Sequence, residues 1–303
     1  MGDPVPSREA AGRPARLKVG VIGAGRVGTV LGAALERAGH QVVAVSAVSD
    51  RSLERAGRLL PGAAVMRPPE LLATVDLALL TVPDDALPGL VSGLAATEAP
   101  LAGRLVAHTS GRHGIAVLEP ATVRGALPLA LHPVMTFTGR PDDLDRLTGV
   151  SFGVTAPEPL QPAAQALVIE MGGEPVLIDE AARPLYHAGL ASAANHLVAL
   201  VAQSADVLRA AGVNDPARML APLLSAALDN ALRLGDAGLT GPVARGDADT
   251  VAEHVRALAG TSPEALRAYV ALARLTADRA LAAGILTAAD AQRLLDVLAG
   301  APR

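Results

Sequence analysis

Val19 to Leu35 reads VGVIGAGRVGTVLGAAL, an apolar strand that runs without a linker into Gly23-Ala24-Gly25-Arg26-Val27-Gly28 and then into a helix. Few chain paths satisfy that order. Gly23 permits a tight turn, Gly25 lets backbone approach a ligand, and Gly28 lets the helix lie close on the strand. The free N–H groups of the following helix then form a ready seat for a pyrophosphate. A tight turn without ligand is the plainer alternative. Its placement between strand and helix, at the head of an alternating chain, favours the nucleotide.

From Arg16 to about Asp179, short β-rich runs alternate with helical ones. Strands are expected at Lys18–Ile22, Gln41–Val45, Leu77–Val82, Arg104–His108, Gly125–His132, Val150–Thr155 and Pro175–Ile178. Several are apolar throughout, as in a parallel sheet covered on both faces. With helices at Val27–Ala38, Ser52–Leu60 and Asp85–Ala95, the fold class is α/β, a doubly wound sheet. Beyond Asp179 the strand signal stops. One long helix is expected over Leu185–Ala211, and others open at Asp215-Pro216, Asp247, Ser262-Pro263 and Thr287. The division expected is a disordered tail over 1–16, a dinucleotide-binding domain over 17–180 and an all-helical substrate and dimerisation domain over 181–303.

Composition removes several alternatives. The chain of 303 residues has no Cys or Trp and only 2 Tyr and 2 Phe, so its core rests on aliphatic side chains and it has no disulfide, thiolate metal site or Cys nucleophile. A net charge of −4 gives no basic field for nucleic acid. Lys18 is the only lysine, which excludes a P-loop and any mechanism that needs a lysine deeper in the chain. No His/Asp cluster has metal spacing, and no Gly-x-Ser-x-Gly marks a hydrolase. Mean hydropathy is +0.36. The uncharged stretch Pro184–Ala205 nevertheless carries His187, Asn195, His196 and Gln203, side chains costly in hydrocarbon. No membrane span or secretory leader is expected, and the location expected is the cytoplasm.

Ligands of such sheets lie at the carboxyl ends of the strands. At the second strand the tip is neutral, Val45-Ser46-Ala47-Val48-Ser49-Asp50-Arg51, without an acid placed for ribose hydroxyls. Ser46 and Arg51 suit a 2′-phosphate, so NADP is preferred to NAD; Asp50 fits a helix cap. Three further tips carry polar groups: Thr81-Val82-Pro83-Asp84-Asp85, His108-Thr109-Ser110-Gly111, and Leu131-His132-Pro133-Val134-Met135-Thr136. Val82, Pro83 and Thr109 are expected on the nicotinamide side of the cofactor, and Thr136 near substrate. His132, its backbone fixed by Pro133, is the expected proton donor because imidazole titrates near neutral pH. Ser110 and Asn195 are expected to assist it, and Arg245 to clamp a substrate carboxylate. Each has a plainer alternative: His132 and His108 as structural histidines, Asn195 on a helix-packing face, Asp247 as a cap.

Together, the glycine turn, Thr81-Val82-Pro83-Asp84, His108-Thr109-Ser110-Gly111, Leu131-His132-Pro133 with Thr136-Phe137, Asn195, and Gly241-Pro242 with Arg245-Gly246-Asp247 resemble a bacterial Rossmann-like family with a helical C-terminal domain of unknown function. The likeness covers residues 17–300. Some of that group are associated with pantothenate synthesis as an alternative ketopantoate reductase. Wider relatives include pyrroline-5-carboxylate reductases, prephenate dehydrogenases and hydroxyacid dehydrogenases. The resemblance implies NADPH-dependent reduction of a small 2-oxo acid, with ketopantoate first, in a homodimer joined through the helical domain. A different hydroxy acid or an imine is the second enzyme reading, and a nucleotide sensor without catalysis the reading of another class. One departure stands out: the Lys-x-x-x-Asn pair of ordinary ketopantoate reductases places its lysine on Ala191.

Overall fold

The computed structural model describes residues 16–302. The tail expected over 1–16 lies outside them, apart from Arg16, whose guanidinium pairs with Glu170 at 2.9 Å. Two compact units are present, divided between Ala191 and Ser192, and the division falls within one long helix.

The first unit follows the alternation. In chain order it comprises β1 (Lys18–Ile22), α1 (Arg26–Arg37), β2 (Gln41–Ser46), α2 (Asp50–Leu59), β3 (Ala64–Val65), α3 (Pro68–Leu72) and β4 (Leu77–Leu80). Next come α4 (Leu87–Ala95), β5 (Leu105–His108), α5 (Glu119–Thr122), β6 (Leu127–Pro133), α6 (Asp143–Arg146), β7 (Ser151–Thr155), α7 (Gln161–Glu170) and β8 (Glu174–Leu177). The eight strands form one sheet in the order β3-β2-β1-β4-β5-β6-β7-β8. The chain runs outward from β1 in one direction, returns, and continues the other way, so β1 and β4 flank the switch point. Apolar side chains alternate between two cores. Val19, Val21, Leu77, Leu79 and Leu129 pack with α1 and α7, and Ile22, Ala78, Leu80 and Val106 pack with α3 and α4.

The sheet departs from the all-parallel expectation at β7, which runs antiparallel to β6 (His132 opposite Gly153, Pro133 opposite Phe152). A parallel partner needs a crossover of a dozen or more residues, usually helical. Between β6 and β7 the only helix is the four-residue α6, so the chain turns back beside its own strand. The carboxylate of buried Asp143 holds that return by accepting from the Thr138 N–H at 2.7 Å and the Gly139 N–H at 2.8 Å. After β7, α7 supplies a true crossover and β8 is parallel again.

The helix α8 (Arg183–Ala210) spans the division. Glu180–Ala210 is, among the described residues, the helical stretch long and apolar enough to cross a membrane by length and composition. The second unit continues with α9 (Pro216–Leu234), α10 (Gly241–Ala244), α11 (Ala248–Ala259), α12 (Pro263–Ala282) and α13 (Ala288–Ala299). Asp215, Asp247, Ser262 and Thr287 each accept from a first-turn N–H, so the four helix starts expected from sequence are true side-chain caps. Val251, Leu266, Ala277 and Leu294 centre a separate core.

Candidate functional site

At the head of the sheet, the glycines do three different jobs. Gly23 has φ +94°, and a Cβ there would come within 2.9 Å of the Thr81 backbone, so β1 can turn only through glycine. Gly28 faces the strand: its Cβ would lie 2.6 Å from the Gly23 carbonyl oxygen, 2.8 Å from Val21 Cγ1, and against the Thr81 hydroxyl. Gly25 is different. Its φ is −77°, and a Cβ there would meet nothing nearer than the Gly23 oxygen at 3.8 Å. The space above it is open. No side chain caps α1 and no acid sits in its first turn, which leaves the dipole and the first N–H groups of a 12-residue helix facing that space.

The neighbouring strand tips brace this turn. The Gly23 and Ala24 N–H groups both donate to the Ser46 carbonyl, at 2.9 and 3.1 Å. Thr81 Oγ1 donates to the Gly23 carbonyl at 2.6 Å. That bond turns the chain out of the sheet, so β4 ends at Leu80, two residues before the expected Val82. Beyond β2, Ser49 and not Asp50 caps α2, its hydroxyl accepting from the Ser52 N–H. Arg51 is exposed in the first turn, as is Arg26 in that of α1.

The tips of β5 and β6 carry the histidines. His108 is fully buried; its Nδ1 accepts from the Ser110 N–H at 3.2 Å and its Nε2 donates to the Gly114 carbonyl at 2.8 Å. Both nitrogens are spent on the loop, which makes His108 a neutral structural residue. Burial holds its pKa down to about 4, with Arg183, His113 and Asp84 also acting on it. Ser110 is likewise buried: its hydroxyl accepts from the His113 N–H, and its carbonyl accepts from Arg183. His113 Nε2 in turn meets the Asp84 carbonyl at 3.2 Å and ties this loop to the one bearing Val82 and Pro83. Thr109 is half-buried beside them, and Thr136, past the end of β6, is exposed.

His132 is half-buried, its Nδ1 2.8 Å from the Tyr186 hydroxyl. Its Nε2 has no hydrogen-bond partner among the described residues and lies over Gly111, where a Cβ would come within 2.9 Å of Nε2 and 2.6 Å of His187 Cδ2. Burial pulls the His132 pKa down to about 4, with the positive charge of Arg183 adding to the effect. This corrects the expectation of an imidazole titrating near neutrality: at pH 7 the ring is a neutral donor.

Two residues of this constellation escaped the sequence reading. Arg183, fully buried in the first turn of α8, donates to Thr155 Oγ1 (2.8 Å) and to the carbonyls of Gly153 (2.9 Å), Ala130 (3.2 Å) and Ser110 (3.3 Å). One guanidinium thus joins β6, β7 and the Ser110 loop through neutral acceptors alone. Among the described residues no carboxylate contacts it; Glu180 acts on it only at longer range. Tyr186, one turn on, presents its ring to the guanidinium at 5.7 Å and its hydroxyl to His132. An arginine heading a stretch with no other charge from Pro184 to Ala205 was the available signal. The remaining candidates belong to the second unit, where Asn195 is exposed on α8 and Arg245 is exposed just after α10.

A strand–glycine turn–helix at the switch point of a doubly wound sheet defines a Rossmann-like nucleotide-binding fold. Residues 3–133 match the family model of a Rossmann-like domain, and residues 150–276 match that of a domain of unknown function, DUF2520. The chain thus matches both domains, in this order. No protein of curated function matches it. Solved structures similar to it include a Bacteroides fragilis protein described as a candidate NADP oxidoreductase (23% identity, TM-score 0.70, covering 87% of this chain and 98% of that one). Others are an imine reductase from Pseudomonas sp. (21%, TM-score 0.63, 94% and 100%) and the Plasmodium falciparum pyrroline carboxylate reductase with NADP bound (13%, TM-score 0.55, 87% and 98%). At these identities the likeness establishes the fold.

Proposed function

We propose that this protein is an NADPH-dependent reductase of a small 2-oxo acid, with ketopantoate as the specific candidate. The observation that carries the proposal is the open space over Gly25 at the uncapped start of α1, on the same strand-tip edge as a neutral histidine with a free Nε2. The residues present fit a dinucleotide. Gly23 to Gly28 would take the pyrophosphate, Ser46 and Arg51 the ribose and its 2′-phosphate, and Val82, Pro83 and Thr109 the nicotinamide side. When bound, the reduced nicotinamide supplies a hydride. The protein must then stabilise and protonate the oxygen of the reduced carbonyl, a task suited to the His132 Nε2–H.

Charge favours the oxo acid over the imine. Arg183 brings a buried positive charge to the edge where His132 sits, opposed by the half-buried Asp84. A substrate carboxylate and a developing alkoxide are stabilised by that field, and an iminium cation is not. Asn195 and Arg245 are retained as proposed substrate contacts. A homodimer is part of the proposal: Val198, Leu223, Leu228 and Leu232 are exposed on α8 and α9, and the same unit holds an apolar cavity of about 650 Å³ lined by Leu200, Val207 and Leu272. Light scattering is expected to give twice the chain mass, and a monomer at micromolar concentration would remove this part.

The glycines give the test of the cofactor site. Gly25→Val has room and extended backbone, so the variant folds with unchanged melting temperature but binds NADPH at least about 100-fold more weakly, equivalent to about 2.7 kcal/mol. Gly28→Val must displace backbone and loses about 3 kcal/mol of stability. Undiminished NADPH binding by the Gly25 variant, followed by cofactor fluorescence, would sink the assignment. Arg51→Ala is expected to weaken NADPH by roughly 1.5–3 kcal/mol, the worth of a charge-assisted hydrogen bond, and NADH hardly at all. Equal losses would place Arg51 away from the 2′-phosphate.

A further inference from the structure

We propose that Tyr186, seated by Arg183, is the positioning residue that fixes His132 as its Nε2–H tautomer and refills its proton. The inference deepens the proposed reductase reading and rests on it for the reaction, but the tautomer is independent of any reaction.

A neutral imidazole has one donor nitrogen and one acceptor, and the partner of one nitrogen decides the role of the other. The partner of Nδ1 is the Tyr186 hydroxyl at 2.8 Å. Of the two groups the phenol O–H is the better donor and the bare imidazole nitrogen the better acceptor, so the phenol proton points at Nδ1. Nδ1 is therefore the acceptor and Nε2 carries the hydrogen. Gly111 packs against this ring without a Cβ to press on Nε2.

Several features hold Tyr186 in this pose. Gly153 offers no Cβ, and one placed there would strike the phenol oxygen. Its ring stands nearly perpendicular to that of His132, at 89°, which suits a hydrogen bond in the imidazole plane. Arg183 lies one helical turn earlier, with its guanidinium 5.7 Å from the phenol ring centre. The guanidinium is locked by four neutral acceptors on β6, β7 and the Ser110 loop, so the turn that carries Tyr186 is anchored to the strands that carry His132 and Gly153.

The proton balance follows. Given the hydride that a bound reduced nicotinamide would supply, the substrate oxygen would take the Nε2 proton while Nδ1 takes the phenol proton. The imidazole stays neutral throughout, with its tautomer exchanged. The phenolate left behind faces Arg183 and is reprotonated from solvent, which the half-buried Tyr186 can reach. The other charged or titratable groups acting on the imidazole are His187, beside it on α8, and Asp84, on the β4 loop.

Nitrogen-15 NMR of the histidine side chains tests this on the whole protein without cofactor, with His132→Gln identifying the His132 signals. At pH 7 the expected spectrum has protonated Nε2 and bare Nδ1, and Tyr186→Phe should collapse it to a mixture of tautomers. A dominant Nδ1–H form in the wild type, or an unchanged spectrum in Tyr186→Phe, would overturn the proposal. The same variant should lower kcat at least tenfold on the 2-oxo acid with KM and NADPH affinity nearly unchanged, and wild-type kcat in Tyr186→Phe would equally overturn the refilling role. If the tautomer is as expected but no oxo acid is turned over by the wild type, the reductase reading fails while the Tyr186 assignment stands.

Discussion

His132→Gln is expected to lower kcat by about 10²–10³-fold, the usual cost of removing one preorganised donor from a developing oxyanion. The magnitude follows from the state of the ring. With its pKa held down to about 4, His132 is neutral at pH 7 and polarises the carbonyl through Nε2–H. Glutamine keeps an N–H of similar reach but loses the bond that Tyr186 makes to Nδ1, so the donor is no longer fixed. Affinity for NADPH should change less than twofold, because the histidine is on β6 and the glycine turn follows β1. The pH profile separates this role from that of an imidazolium acid. A neutral donor gives a wild-type kcat that is flat between about pH 5.5 and 8, whereas an imidazolium acid loses rate as pH rises through about 6.5. Near-normal kcat in His132→Gln, or a wild-type profile that falls through 6.5, would show that the histidine works otherwise.

Which parts of this arrangement were legible beforehand follows from how locally each is determined. Residues 18–37 could be placed to within a residue because glycine spacing, an apolar run and the helix that follows all act within one short segment. The caps at Asp215, Asp247, Ser262 and Thr287 are local for the same reason. The direction of β7 was not legible, since it depends on whether residues 134–150 form a crossover, and they form only one turn of helix. The two-residue β3 has no apolar alternation to detect. At the site, strand tips pointed to His108, Ser110 and His132 but could not distinguish a histidine that holds a loop from one with a free nitrogen. That distinction depends on Gly114, Gly111 and Tyr186, which are brought in by tertiary structure. Arg183 and Tyr186 were hidden because α8 reads as a helix of small and apolar residues, in which an arginine at the first turn passes for an end charge.

The same two histidines should make the first unit acid-sensitive. His108 and His132 are held at about 4 when folded, against 6.5 for a free imidazole, mainly by burial and secondarily through groups that include Arg183. A histidine with a depressed folded pKa contributes its full stability above the unfolded value and loses it as pH falls toward the folded one, because the unfolded chain binds the proton first. The window is therefore pH 6.5 down to about 4. With one pKa unit worth about 1.4 kcal/mol, each histidine contributes about 3 kcal/mol. Both feel the same arginine, so the two together are worth on the order of 5 kcal/mol. For a unit of this size, that loss lowers the melting temperature by about 10–20 °C between pH 7 and pH 4. The buried carboxylate of Asp143, whose pKa is lowered by the Gly139 and Thr138 N–H groups, Thr138 Oγ1 and Arg146, gives way at still lower pH. His108→Gln isolates the effect, since an amide can still donate to the Gly114 carbonyl and cannot be protonated in this range. Its melting temperature should fall by roughly half as much over the same interval. A wild-type melting temperature that is level between pH 6.5 and 4 would mean that these histidines take up their protons without opening the fold.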